Sequence, residues 1–349
     1  MPIFPAMTAV DSPIEALDEA PPAVDRRRWL RLVGVAVVIF LFGVELTLGW
    51  SSLVTALRQL RAPHLGWLAL ATFAELASMN AYGRMQRHLL RSAGVHAPLI
   101  EHFRLAYAAH SLSATLPGGP AFSTRFNFQQ MRRLGATPAV ASWCIALSGI
   151  LSACALAVVT LVSALAAGGV THWQHLVGLV IAGVLLTLGV RRVARDPDTV
   201  RPLISLINRI RRRPETDGHE RIHGFLEQLR AARLQPGHGV AAALFALSNW
   251  FLDAACLWIC FRVVGVEPAG LPEVLLAFCA AMAAGTITIV PGGLGIIDSA
   301  LILGLIAGGV PTTAAVAAVV LYRLISFGFI MAIGWLSWLR IRRHSIPVG

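Results

Sequence analysis

Ionisable side chains inside long apolar runs are the residues of this chain most able to do chemistry. Five such residues are Glu75, Asp253, Asp298, Arg125 and Arg323. A charged side chain at the centre of a hydrocarbon layer costs about 3 kcal/mol even by lenient scales, so each needs a partner, water or a task. Two of them follow directly on breaks in the apolar pattern. Pro117-Gly118-Gly119 precedes Ser123, Thr124 and Arg125, which combine hydroxyls and a cation with a helix start whose dipole favours anions. Pro291-Gly292-Gly293 precedes Asp298, an acid able to cap its own helix, with Thr286 and Thr288 upstream and Arg323 as a partner. The functional reading is a polar pocket that takes an anionic headgroup at Arg125, with Asp298 and Arg323 as a switchable pair. The alternative is that Asp298–Arg323 and Glu75–Asp253 lock the bundle without touching a ligand.

Other patterns carry less. His219-Glu220-Arg221-Ile222-His223 matches the spacing of a zinc-protease helix, but Arg221 sits inside the motif and no third ligand presents itself, so it reads as a surface helix. Cys144, Cys154, Cys256, Cys260 and Cys279 all fall in apolar runs and read as buried free thiols. Cys256 and Cys260 share a helix face, yet a metal would want a second pair. No metal or cofactor is assigned. No nucleophile and base stand at a spacing that would make an enzyme.

The elements that position these residues are membrane helices. The 349 residues are 56% hydrophobic and 13% charged, with a mean hydropathy of +0.69, which excludes an ordinary soluble domain. The chain reads as an all-α polytopic membrane protein. Six runs suit full spans: 29–50, 65–83, 138–165, 172–190, 239–262 and 312–339. Two segments, 99–133 and 273–309, are broken by Pro-Gly-Gly and read as re-entrant helical hairpins rather than two full spans each, because the arms of the second, about 27 and 21 Å, are borderline for a hydrocarbon core of about 30 Å. The two breaks correspond at an offset of 174, which also carries Pro98 onto Pro272 and Gly135 onto Gly309. The chain is therefore an internal duplication, with one repeat over about 65–166 and the other over about 239–339.

Arginine distribution sets the orientation. All 29 basic residues counted as Lys or Arg are arginine, and they crowd 26–31, 84–98, 125–136, 191–238 and 340–343. These segments are placed in the cytoplasm, so both termini are inside. The net charge of +11 is thus an orientation signal, and no nucleic-acid partner is expected. Three crossings separate the starts of equivalent helices, which makes the repeats inverted and brings the two breaks toward one another near the bilayer midplane. Residues 1–25, acidic and Pro-rich, read as a disordered tail before a transmembrane domain over 26–340, and 341–349 as a basic cytoplasmic tail. Within 191–238, Ile222, Phe225, Leu226 and Leu229 form an apolar stripe suited to the anionic inner leaflet.

Leu116-Pro117-Gly118-Gly119-Pro120, Gln130-Met131-Arg132-Arg133-Leu134-Gly135, Pro291-Gly292-Gly293-Leu294-Gly295 with Asp298, and Leu321-Tyr322-Arg323-Leu324 resemble the flippase-like lysylphosphatidylglycerol synthase transmembrane region. The resemblance covers about 30–340, and the second break is its more specific part. That family commonly has Glu where this chain has Asp298. The soluble aminoacyl-transfer domain of the full-length synthases has no counterpart in the sequence, so the resemblance implies the lipid-translocating part without the synthetic one. The function expected is movement of an anionic, aminoacylated or polyprenyl-linked lipid headgroup between leaflets of a bacterial plasma membrane. The rival readings are a secondary transporter of a small anion, and a non-transporting subunit that recruits a cytoplasmic enzyme partner through the basic loop.

Overall fold

The computed structural model describes residues 64–116, 118–167, 234–267, 270–285, 291–293 and 295–343, and the regular elements among them are all helical. The expected tail 1–25, the spans 29–50 and 172–190, and residues 191–233 with the His219–His223 motif lie outside the described residues, as do Pro117, Thr286 and Thr288. In chain order the helices are α1 (Leu65–Ser92), α2 (Leu99–Thr115), α3 (Gly119–Arg133), α4 (Pro138–Ala166), α5 (Pro236–Val264), α6 (Leu271–Gly285), α7 (Ile296–Ala307), α8 (Thr312–Arg323) and α9 (Ile330–Arg343). A π-helical turn, Leu324–Phe329, joins α8 to α9, so that Thr312–Arg343 is one helix of 32 residues. This helix, α4 and α5 are the three described helices long and apolar enough to cross a membrane. The chain is a helical membrane protein.

Helix α1, expected as a span over 65–83, continues to Ser92 and is about 42 Å long. It has the length to span, but Glu75, Ser78 and Asn80 interrupt its apolar run, and it is not among those three. The segments 84–98 and 125–136, read from their arginines as loops, are helical as far as Ser92 and Arg133. A helix satisfies its own backbone and can run on beyond the apolar stretch, and arginines in its last turn suit the negative end of the dipole. Left-handed glycines, Gly94 and Gly135, then turn the chain. Helix α4 begins at Pro138, where the Thr137 hydroxyl oxygen accepts the Val140 N–H at 3.3 Å, a cap that contributes about 1 kcal/mol.

Both broken segments appear as helix pairs, α2/α3 and α6/α7, with each pair in contact along its length. The arms hold 17 and 15 residues in the first pair and 15 and 12 in the second. At 1.5 Å per residue the longest is about 25 Å, shorter than the core of a bilayer.

The bundle is organised around α1 and α5, which pack antiparallel along most of their lengths. Ser78 exchanges hydrogen bonds with Asn249, at 2.8 to 3.1 Å; His88 meets His238; Ser92 accepts the N–H of Gln235. Small residues permit close approach elsewhere. Ala314, Ala315, Ala317 and Ala318 of α8 are all buried, Gly304 of α7 lies against Ala277 of α6, and Gly334 of α9 lies so close to Tyr107 and Ser111 of α2 that a Cβ would overlap them.

Candidate functional site

The second break is held by the first. Gly292 has a left-handed backbone (φ +65°), and a side chain there would meet the Phe327 ring on one side and the Ala114 carbonyl, 3.1 Å away, on the other. Ala114 belongs to the last turn of α2, just ahead of the first break. At that break Gly118 is also left-handed (φ +68°), and the Gly119 N–H bonds back to Leu116 O at 2.7 Å. The second break is therefore seated against the chain entering the first.

Asp298 makes the two bonds its position suggested. One carboxylate oxygen accepts the Gly295 N–H at 2.9 Å, capping α7, and the other accepts a hydrogen bond from Arg323 Nε. Both side chains are about one-fifth exposed, at 19% and 18%, so the pair is shielded but not sealed. The Arg323 guanidinium lies 5.8 Å above the centre of the Phe327 ring, the same ring that covers Gly292. The π turn that begins directly after Arg323 thus connects ion pair and break through one aromatic side chain. Such turns mark places where a helix departs from regular bonding, often at functional sites.

On the other side of α8 the remaining two acids meet. Glu75 of α1 is buried at 4% exposure and stands opposite the half-buried Asp253 on α5, one turn from the Ser78–Asn249 rung. The Tyr322 hydroxyl donates to Asp253 Oδ1 at 2.7 Å. The consecutive residues Tyr322 and Arg323 therefore engage different acids, Asp253 and Asp298. His110 of α2 faces Arg323 and is exposed, while Asp253 is half-buried.

The first break's polar set is arranged differently from the second's. Arg125 is exposed on α3 and has no hydrogen-bond or ion-pair partner among the described residues; it is not joined to Asp298 or Arg323. Thr124, also exposed, donates its hydroxyl hydrogen to Pro120 O at 2.7 Å, and Ser123 is half-buried. Reasoning from charge overlooked Tyr322 and His110, as well as the Ser78–Asn249 rung. A signal for the first was present: the chain has 3 tyrosines against 15 phenylalanines, so each phenolic hydroxyl in an apolar run called for a partner.

Comparison with known families bears directly on this arrangement. The model of the lysylphosphatidylglycerol synthase transmembrane region matches residues 28–334. The chain belongs to this family. The match takes in both breaks and all five intramembrane charges, and membership points to a role related to membrane lipids. A comparison with curated proteins finds no match. Within this family member, the Phe327 ring links the Asp298–Arg323 pair to the second break, which rests on the chain entering the first.

Proposed function

We propose that this synthase transmembrane-region protein translocates a lipid with an anionic, aminoacylated or polyprenyl-linked headgroup between the leaflets of a bacterial plasma membrane, and that it acts as a carrier rather than an enzyme. The observation that carries the reading is the contact of the two breaks beside a shielded ion pair. Unwound backbone is tolerated at membrane depth only where protein or a wet cavity surrounds it. Broken helices meeting between two similar halves are the usual construction of a substrate site in transporters. The antiparallel pairing of α1 with α5, which are equivalent under the 174-residue offset, supports the inverted arrangement this requires.

In this reading the headgroup phosphate passes the breaks, competes with Asp298 for Arg323, and releases the acid to its helix cap at Gly295. Arg125, exposed and without a partner among the described residues, is where the headgroup is first drawn in. The apolar tails remain in the bilayer, which is why the site needs a lateral opening and not a sealed cavity.

The test is leaflet exchange of headgroup-labelled phosphatidylglycerol in proteoliposomes of phosphatidylethanolamine and phosphatidylglycerol, extended to aminoacylated and polyprenyl-phosphate lipids. Wild type should accelerate exchange of at least one of these, and Arg125→Ala should slow it by roughly tenfold, the effect of losing about 1.4 kcal/mol of headgroup attraction. Folded wild type that exchanges none of these lipids would refute the proposal.

A further inference from the structure

Glu75 and Asp253 are unneeded by the headgroup route, yet Glu75 is buried in the bundle and Asp253 is half-buried opposite it. Two carboxyls facing one another inside the bundle cannot both carry charge at low dielectric, where the repulsion far exceeds anything the fold returns. A single proton between them removes that cost, and the antiparallel packing of α1 on α5, in which Ser78 meets Asn249, sets Glu75 opposite Asp253 as such sharing requires. One oxygen, Glu75 Oε2, is buried without a hydrogen-bond partner among the described residues.

The surroundings select a proton over a metal ion. From α5 come Cys256 and Cys260 besides Asp253; from α8, Tyr322 and the nearby Arg323; from α2, Tyr107, whose hydroxyl is turned to Leu76 O and Asn80. Helix α4 brings only the thiols Cys144 and Cys154, the first turned to Gln86 O, and the π turn brings no titratable group. The neighbours of the acid pair are thus a hydrogen donor, Tyr322 O–H, and thiols, whereas a sodium or calcium ion needs a shell of oxygen lone pairs. No group of three or more metal-ligating side chains occurs among the described residues.

A route to the pair is built into α1. Glu75, Ser78, Tyr82 and Gln86 recur at spacings of three and four and so share one face; Ser78 is bonded to Asn249 and Gln86 to Tyr82 at 3.3 Å. The stripe covers about 16 Å of helix and leads toward the His88–His238 contact near the arginine-bearing end.

We infer that Glu75 and Asp253 form a proton-binding site, fed along the polar face of α1, and that its occupancy is coupled through Tyr322 and Arg323 to the Asp298 switch. The coupling rests on the translocation reading above; the site does not. With the proton bound, Tyr322 and Arg323 stay as observed. When it leaves, the acid pair gains a negative charge beside Tyr322 that draws Arg323 from Asp298. Binding and release each move one proton, and no other species changes.

Two measurements test this separately. Infrared titration of the purified full-length protein should show one protonated-carboxyl band that is absent in both Glu75→Gln and Asp253→Asn, and displaced but retained in Tyr322→Phe. A band missing from wild type, or kept in both acid variants, overturns the site. In phosphatidylethanolamine/phosphatidylglycerol vesicles, an imposed gradient of one pH unit should skew labelled phosphatidylglycerol between leaflets by up to tenfold, and Glu75→Gln should exchange it without skew. Exchange indifferent to pH, or driven by sodium when choline is the control cation, overturns the coupling. Absence of any exchange refutes the translocation reading and the coupling together, while the infrared result still decides the site.

Discussion

Replacing Gly292 by alanine tests whether the two breaks depend on one another. Gly118 and Gly292 have nearly the same backbone, φ +68° and φ +65°, so alanine at either meets the same left-handed penalty of about 1 kcal/mol. Their neighbours differ. Nothing lies within 4 Å of a Cβ at Gly118, whereas one at Gly292 is caught between Phe327 and the Ala114 carbonyl at 3.1 Å. Overpacking of that kind adds about 1–3 kcal/mol. Gly292→Ala should therefore lose about 2 kcal/mol more than Gly118→Ala, roughly a thirtyfold difference in the folding equilibrium. Tryptophan fluorescence in mixed micelles at rising dodecyl sulfate fraction reads this difference directly. Phe327→Ala should relieve part of the Gly292→Ala loss, because only there does the ring give way. Equal losses at the two glycines, or no rescue by Phe327→Ala, would mean that the second break does not rest on the end of α2.

Three further outcomes follow from contacts already described. Asp298→Asn and Arg323→Gln should each cost about 2 kcal/mol, below the range for sealed pairs because both groups are about one-fifth exposed; the double variant should cost less than the sum of the two, and simple additivity in an unfolding cycle would refute the pairing. Thr137→Ala should lose about 1 kcal/mol in the same assay and leave lipid exchange unchanged, since it removes only the cap of α4. His88 stands five residues beyond the apolar stretch of α1; burial, then the neighbouring His238, Arg87 and Arg91, hold it below its ordinary 6.5. Because the folded state disfavours the charged ring, the His88–His238 contact should contribute fully above pH about 6.5 and weaken as pH falls below it; His88→Phe should flatten that dependence, and an unchanged acid limb would refute the assignment.

What could be read from the residues was decided by chemistry that position alone cannot hide. Pro-Gly-Gly between apolar runs marks a helix end in any context, so the limits of both hairpins were legible to within a few residues. The Asp298–Arg323 pair was legible because a charge in hydrocarbon demands a partner and few were on offer. The phase of each helix was not legible. In a membrane bundle both the lipid-facing and the core-facing sides are apolar, so the 3.6-residue period that orients a soluble helix is blurred. For that reason Arg125 could be placed at a break but not turned away from the ion pair. Tyr322, written next to Arg323, did not reveal that it serves a different acid. The continuation of α1 to Ser92 was masked by arginines that read equally well as loop or as helix.

The π turn at Leu324–Phe329 carries one residue more than a regular turn would hold in the same rise. Beyond it, Gly334 must face Tyr107 and Ser111, and the Ser111 hydroxyl donates to Met331 O at 3.2 Å. Removing any single residue from 324–329 would leave the hydropathy of the segment nearly unchanged, yet rotate everything downstream by about 100° and turn Gly334 out of its seat. This stretch is thus governed by its length more than by its composition. Conservative substitutions within it, Phe327 apart, should be accepted freely, and a one-codon deletion should not.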